Sequence, residues 1–189
     1  MNLFLIRKFF RGIVLPVEKI RKIILNTLAE IKVNSVLDFG SGTFFWSDWF
    51  LSTFNCQIYA VDKYYKEKII SKDEVRCYWQ LDDCFIDCQN FSIVFACDVL
   101  HHLDPVEYET FWKEIINKSN VVIIKDIDKN HPFGNFMNKM HDKIINRENI
   151  QDIDPHKIER VLVQNGYKTQ YHYIPKLWYS HFIIIGIKP

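Results

Sequence analysis

The sequence predicts an α/β fold in which helices cover both faces of a mostly parallel sheet. Short apolar runs of strand length alternate with segments whose apolar residues recur at helical spacing. The runs lack polar alternation, which indicates strands that are buried on both faces. The first run, ending at Val36 and Leu37, leads directly into a turn that contains Gly40 and Gly42. Glycines in such a turn permit unusual backbone dihedral angles and the close approach of a ligand.

The remaining elements continue this alternation. The predicted helices span residues 17–31, 45–54, 107–117 and 155–166, with Pro105 before the third and Gly166 at the end of the last. The predicted strands after the first span residues 57–61, 75–81, 91–96, 120–124, 168–174 and 179–187, and the last two form an antiparallel hairpin. Acidic residues close several strands: Asp62 the second, Asp82 and Asp83 the third, and Asp126, after Lys125, the fifth.

Length and composition indicate one domain over residues 1–189. The 189 residues are 48% hydrophobic, which is enough for a single well-packed core. A formal net charge of +1 gives no overall field that would attract nucleic acid, so nucleic acid is disfavoured as a partner. The sequence leaves the oligomeric state open.

The N-terminal segment at 1–31 is amphipathic, with basic residues among phenylalanines and leucines. Two interpretations are open. The segment makes a peripheral contact with a membrane, with its basic residues at the headgroups, or it contains a helix that covers part of the core, which is the favoured interpretation. Arg7, Lys8 and Arg11 interrupt any apolar run of the secretory-signal type.

The cysteines indicate a reducing, cytoplasmic environment. Their odd number, five, argues against a disulfide framework. Cys84 and Cys88 have no further ligands at zinc spacing, so no metal site is predicted.

The acidic residues beside the glycine turn suggest a nucleotide-like ligand. Asp62 follows the turn by about 20 residues, the spacing at which an acid reaches a ribose in nucleotide-binding α/β folds. Asp38 would repel a phosphate, which also argues against a nicotinamide-dependent oxidoreductase. It suits a ligand that carries a cation and hydroxyl groups.

Four features in order resemble class I S-adenosylmethionine-dependent methyltransferases: residues 36–42, Asp62, the pair Asp82 and Asp83, and residues 95–103. The resemblance covers residues 35–188. It implies a Rossmann-like, seven-stranded, mostly parallel sheet with an antiparallel final strand, and S-adenosyl-L-methionine as cofactor. The implied cofactor contacts are Asp38, Gly40, Ser41 and Gly42 at the methionine part, Asp62 with its neighbour Lys63 at the ribose, Asp82 or Asp83 at the adenine amino group, and Asp98 and Val99 beside the sulfonium.

The chain departs from the family's pattern at Phe44. The family often has a third glycine at this position. A phenyl ring there is expected to crowd the turn or force it open. Phe44 therefore motivates an alternative function, a non-catalytic binding or scaffold module that retains the fold.

The leading hypothesis is methyl transfer to oxygen of a small molecule, a sugar or a lipid-linked acceptor. A polar segment at 128–152 breaks the alternation of elements and is interpreted as an inserted substrate cover. A hydroxyl acceptor must lose a proton, and the candidate bases are His141 in the insert, then Asp126, with His102 at the end of the fourth strand. His141 and Asp142 are adjacent on the predicted helix and would not form a dyad with each other.

Overall fold

The computed structural model describes residues 16–63, 74–128, 136, 151–176 and 179–189. Residues 1–15 and most of the predicted cover at 128–152 lie outside this part of the chain. The candidate base His141 and its neighbour Asp142 lie outside it too. Within the described residues, no helix is long and apolar enough to span a membrane.

A seven-stranded sheet forms the centre of the fold, in the order β3-β2-β1-β4-β5-β7-β6. The strands are β1 Ser35–Phe39, β2 Gln57–Val61, β3 Val75–Tyr78, β4 Ile93–Cys97, β5 Val121–Ile127, β6 Lys168–Lys176 and β7 Tyr179–Ile187. Only β7 runs antiparallel to its neighbours, β5 and β6. The predicted fold class is confirmed, including the closing hairpin.

Helices cover both faces of the sheet. They are α1 Val17–Leu28, α2 Phe45–Phe54, α3 Leu81–Asp87, α4 Pro105–Ile115 and α5 Pro155–Gln164, with a short 3-10 turn at Leu100–His102. Successive strand residues face opposite sides. Val36 and Ile93 therefore pack with α1 and α2, whereas Leu37 and Val94 pack with α3, α4 and α5.

Two of the predicted strand ends that differ from the structure change where charged residues lie. Strand β3 ends at Tyr78, so Asp82 and Asp83 lie in the first turn of α3 instead of closing the strand. Strand β5 continues through Ile127, and every residue in it is buried. Lys125 and Asp126 therefore lie within the sheet, where Lys125 is paired with Asp98 and Asp126 with His101.

The strand order reverses beside β1, which has β2 on one side and β4 on the other. In open sheets of this kind, the crevice at the carboxyl ends of the strands on either side of the reversal is where ligands bind. The predicted contacts after β1, β2 and β4 all belong to this edge.

Candidate functional site

The turn between β1 and α2 has left-handed backbone at three alternate residues. Gly40 has φ 74°, Gly42 has φ 53° and Phe44 has φ 61°. The amides of Gly40 and Ser41 donate hydrogen bonds to the carbonyl oxygen of Val61, at 2.8 and 3.2 Å. These bonds fix the turn against the carboxyl end of β2.

Gly40 also fixes the turn against the residues that follow β4. A Cβ atom added at Gly40 would lie 2.4 Å from Cγ2 of Val99, far inside van der Waals contact. At Gly42, by contrast, the nearest atom to an added Cβ is the carbonyl oxygen of Gly40 at 3.9 Å. Gly40 is thus required for packing, whereas the backbone of Gly42 has open space beside it.

The carboxylate of Asp62 closes the turn from the side of β2. Gly42 N–H donates to Asp62 Oδ2 at 2.7 Å, which joins the two features that the sequence places about 20 residues apart. Ser41, directly before Gly42, has a hydroxyl oxygen that is buried and has no hydrogen-bond partner among the described residues. Such a buried hydroxyl is satisfied when a ligand or a water molecule reaches it.

Asp38 is a buried carboxylic acid beneath α2. Its side chain is 1% exposed and accepts a hydrogen bond from Ser47 Oγ at 2.5 Å. Burial raises the pKa of Asp38 to about 6, although hydrogen bonds from the hydroxyl and backbone N–H of Ser47 favour the ionised form. The nearby charge of Asp62 adds to the rise. The site therefore holds a carboxylate whose charge is poorly compensated by the protein itself.

The expected crowding of the turn by Phe44 is not seen. The ring of Phe44 is only 8% exposed and belongs to the hydrophobic cluster on the side of α1 and α2. Its backbone adopts the left-handed conformation that glycine would adopt more easily. The chain thus keeps the shape of the turn and places the side chain in the core.

Asp98 directly follows β4 and has an unusual backbone conformation and a partly buried ion pair. Its φ is 53°, in the left-handed region that few residues other than glycine adopt. Lys125 Nζ donates to Asp98 Oδ1, and Asp98 N–H donates to the carbonyl oxygen of Lys125 at 2.9 Å. Burial alone would raise the pKa of Asp98, but the charge of Lys125, with contributions from His181 and His101, lowers it to about 2.

A buried pair, His101 with Asp126, lies on the opposite face of the sheet. His101 Nδ1 and Asp126 Oδ1 are 2.5 Å apart, and the same oxygen accepts from Ile127 N–H at 2.8 Å. Asp126 is fully buried, and its Oδ2 has no partner in the described part of the chain. The ring of His102 lies beside that of His101, with centroids 4.1 Å apart. Asp126 thus fixes the orientation of His101 at the end of β4.

The other predicted contacts lie nearer the surface. Asp82 and Asp83 are exposed on α3. Lys63 Nζ is 3.5 Å from Glu107 Oε1, and both side chains are substantially exposed. Lys63 therefore connects the end of β2 with the first turn of α4.

Sequence reasoning assigned no partner to Lys125 and did not pair Asp126 with His101. The only available signal is that a lysine and an aspartate directly continue an apolar run of four residues at 121–124. Charges placed there are either beyond the strand or paired within it. The partners are 27 and 25 residues away, which the pattern does not reveal.

Comparison with known proteins identifies the fold. No family model and no curated protein matches the sequence. A solved S-adenosylmethionine-dependent methyltransferase from Archaeoglobus fulgidus matches with a TM-score of 0.68 at 15% identity, over 100% of both chains. The 1,6-didemethyltoxoflavin-N1-methyltransferase of Burkholderia thailandensis, solved with bound 1,6-didemethyltoxoflavin and S-adenosylhomocysteine, matches with a TM-score of 0.68 at 15% identity, over 88% of this chain and 75% of that one.

Magnesium protoporphyrin IX methyltransferase from Synechocystis, solved with bound S-adenosylhomocysteine, gives a TM-score of 0.66 at 14% identity, over 91% of this chain and 82% of that one. Two of the three structures are named for different substrates, and all three match the fold of this chain. The chain therefore has the Rossmann-like fold of the S-adenosylmethionine-dependent methyltransferases.

Proposed function

We propose that this protein is an S-adenosylmethionine-dependent methyltransferase. The observation that carries the proposal is the 2.7 Å hydrogen bond between Gly42 N–H and Asp62 Oδ2. It joins the glycine turn to the acidic residue whose spacing suggests a ribose contact. Two neighbours with the same fold were solved with S-adenosylhomocysteine bound, which supports the choice of this cofactor over other nucleotides.

The residues around the turn fit the cofactor chemically. An ionised carboxylate has about four acceptor positions, so Asp62 can accept from ribose hydroxyls while it holds Gly42. The buried hydroxyl of Ser41 supplies a further polar group that has no partner in the described residues. Asp38 suits the cationic amino group of the methionine part, because a positive charge stabilises its ionised form.

When bound, the cofactor supplies a methyl group on a positively charged sulfur. The chain's contribution is to bind and orient the reactants and to exclude water. Asp62, Ser41 and Asp38 bind the cofactor on the side of β1 and β2. Asp98 and Val99 delimit the site at the end of β4, where Val99 packs against Gly40.

Oxygen is the proposed acceptor atom, on a small molecule, a sugar or a lipid-linked compound. The support is the pair of histidines at the end of β4, since imidazole can accept a hydroxyl proton near neutral pH. Asp126 is fully buried and acts through His101, so it is a positioning residue. His102 and His141 remain the proposed proton acceptors. Transfer of labelled methyl to amines or thiols alone, in a panel that includes hydroxyl compounds, would contradict this assignment.

If the acceptor is lipid-linked, we propose that the N-terminal segment brings the protein to the membrane that holds it. The support is the basic, phenylalanine-rich composition of residues 1–15, which would bring a cytoplasmic protein to a membrane surface. The test is a chain that starts at residue 16. Unchanged partition onto anionic vesicles, together with unchanged methyl transfer, would exclude a role for the segment at the membrane.

The alternative function, a non-catalytic module, depended on crowding of the turn by Phe44. Because that ring lies in the core, the alternative loses its motivation. We therefore propose no second function.

Calorimetric titration with S-adenosylmethionine and S-adenosylhomocysteine tests the proposal. We expect micromolar binding to the wild type and at least a hundredfold loss in Asp62→Ala, because ribose hydroxyls lose a charged acceptor. Asp48→Ala, which removes an exposed carboxylate from α2, is the matched control and should bind like the wild type. Binding that is equally strong in Asp62→Ala would show that the ligand lies elsewhere.

A further inference from the structure

Lys125 is a lysine in the interior of the sheet. Its side chain is 0% exposed, in the middle of a strand in which all residues are buried. On β5 it projects to the side of α1 and α2, because Val121 and Ile123 pack on that side. Lysine is almost never fully buried unless it is paired, since removal of an ammonium group from water is costly. Such a residue needs an explanation beyond packing.

The pairing of Lys125 is directed at one residue, Asp98. Its ammonium group donates to the carboxylate of Asp98, and its carbonyl oxygen accepts from the backbone N–H of Asp98. Side chain and main chain of Lys125 thus bind Asp98 together. This double contact is made where Asp98 has a left-handed φ of 53°, a conformation that other contacts must stabilise.

Asp98 has one buried and one accessible side. Its side chain is 32% exposed although its partner is wholly buried. The charged and titratable groups near it are Lys125 on β5, His181 on β7, His101 on the 3-10 turn and Cys97 on β4. The carboxylate is therefore held from inside the protein and faces outward at the carboxyl end of β4, next to Val99 and the glycine turn.

We propose that Lys125 is a positioning residue for cofactor binding, which holds the carboxylate and backbone of Asp98 in the arrangement that receives the cofactor. The inference rests on the proposed function. Lys125 does not touch the cofactor in this account and acts only through Asp98. The ammonium group also keeps Asp98 ionised, since burial alone would raise the pKa of that carboxyl.

The test is a double-mutant cycle on cofactor affinity. Lys125→Met keeps the approximate length of the side chain without its charge. We expect it to bind S-adenosylhomocysteine about tenfold more weakly, a change of the size that loss of one hydrogen bond to a charged group produces. In the Asp98→Asn background the same change should alter the affinity less than about twofold, because the group on which Lys125 acts is already changed. Lys113→Met, an exposed lysine on α4, is the control and should bind like the wild type.

Thermal unfolding and circular dichroism, measured on the same samples, separate positioning from stability. A lower melting temperature with wild-type affinity would mean that Lys125 is structural only, and would overturn the inference. A tenfold loss in both backgrounds would overturn it too, since Lys125 would then act independently of Asp98. If Lys125→Met does not fold, Lys125→Gln replaces it in the double-mutant cycle. Glutamine keeps a hydrogen-bond donor, so the affinity of this variant should be about threefold below that of the wild type.

The two proposals fail in different ways. If the wild type binds neither S-adenosylmethionine nor S-adenosylhomocysteine, the proposed function is wrong and the role of Lys125 is wrong with it. If the wild type binds and Lys125→Met binds equally well, only the inference about Lys125 is wrong.

Discussion

Replacement of Asp38 by asparagine is expected to stabilise the ligand-free protein and to weaken cofactor binding. Burial raises the pKa of Asp38 from 3.8 to about 6. The folded protein therefore binds the proton more tightly than the unfolded chain does. The sign follows: as the pH rises from 3.8 through about 6, the folded state loses stability relative to the unfolded state, and above pH 7 the full cost of the buried charge is present.

The size of the effect follows from the difference between the pKa of Asp38 in the unfolded chain and its pKa in the folded protein. At about 1.4 kcal/mol per pH unit, the cost of the ionised Asp38 is about 3 kcal/mol at pH 7.5 and about 1 kcal/mol at pH 4.5. Asparagine carries no charge and can still accept the hydrogen bond from Ser47 Oγ. Any effect of its amide group is independent of pH, so the difference in unfolding free energy between Asp38→Asn and wild type should grow by about 2 kcal/mol from pH 4.5 to pH 7.5.

Urea denaturation at the two pH values measures this difference. Glu30→Gln removes an exposed carboxylate after α1 and should shift the unfolding free energy by less than about 0.5 kcal/mol at either pH. The variant should also bind S-adenosylmethionine about tenfold more weakly, because the cationic amino group loses its counter-charge. A stability difference that does not change with pH would refute the reasoning about the buried charge.

Three further substitutions test the shape of the turn. Gly40→Ala should lower the free energy of unfolding in urea by about 3 kcal/mol, since its Cβ would overlap Val99 and its φ is positive. Gly42→Ala should lower it by only about 1 kcal/mol. Equal losses would contradict the packing role of Gly40. Phe44→Gly should destabilise the protein by about 3 kcal/mol through loss of a buried ring but leave cofactor affinity within about threefold of wild type by calorimetry. A tenfold gain in affinity would mean that the ring obstructs the site after all.

The parts of the fold that depend on local pattern were predictable. The helix at 45–54 and the strand at 57–61 have the predicted bounds, because their apolar spacing is interrupted by residues that also end them in the structure. The proximity of Asp62 and Gly42 could be inferred from the predicted topology, since the carboxyl ends of neighbouring parallel strands meet at the same edge of a sheet.

The parts that depend on tertiary pairing were not predictable. A rule that ends strands at charges stops β5 before Lys125, yet Lys125 is buried because Asp98, which directly follows β4, compensates it. The same applies to Asp126 and His101. The expected effect of Phe44 was wrong for a similar reason: the sequence shows a bulky residue at a glycine position, but not that the core has room for its ring.

A crystal structure of the protein with S-adenosylhomocysteine is the most direct test of the central claim. The account predicts that the ribose hydroxyls lie within hydrogen-bond distance of Asp62 and that the ligand contacts the backbone at Gly42. It also predicts that the amino group of the ligand lies on the side of Asp38. A ligand bound away from the carboxyl ends of β1, β2 and β4, or crystals that contain no ligand at saturating concentration, would contradict the account.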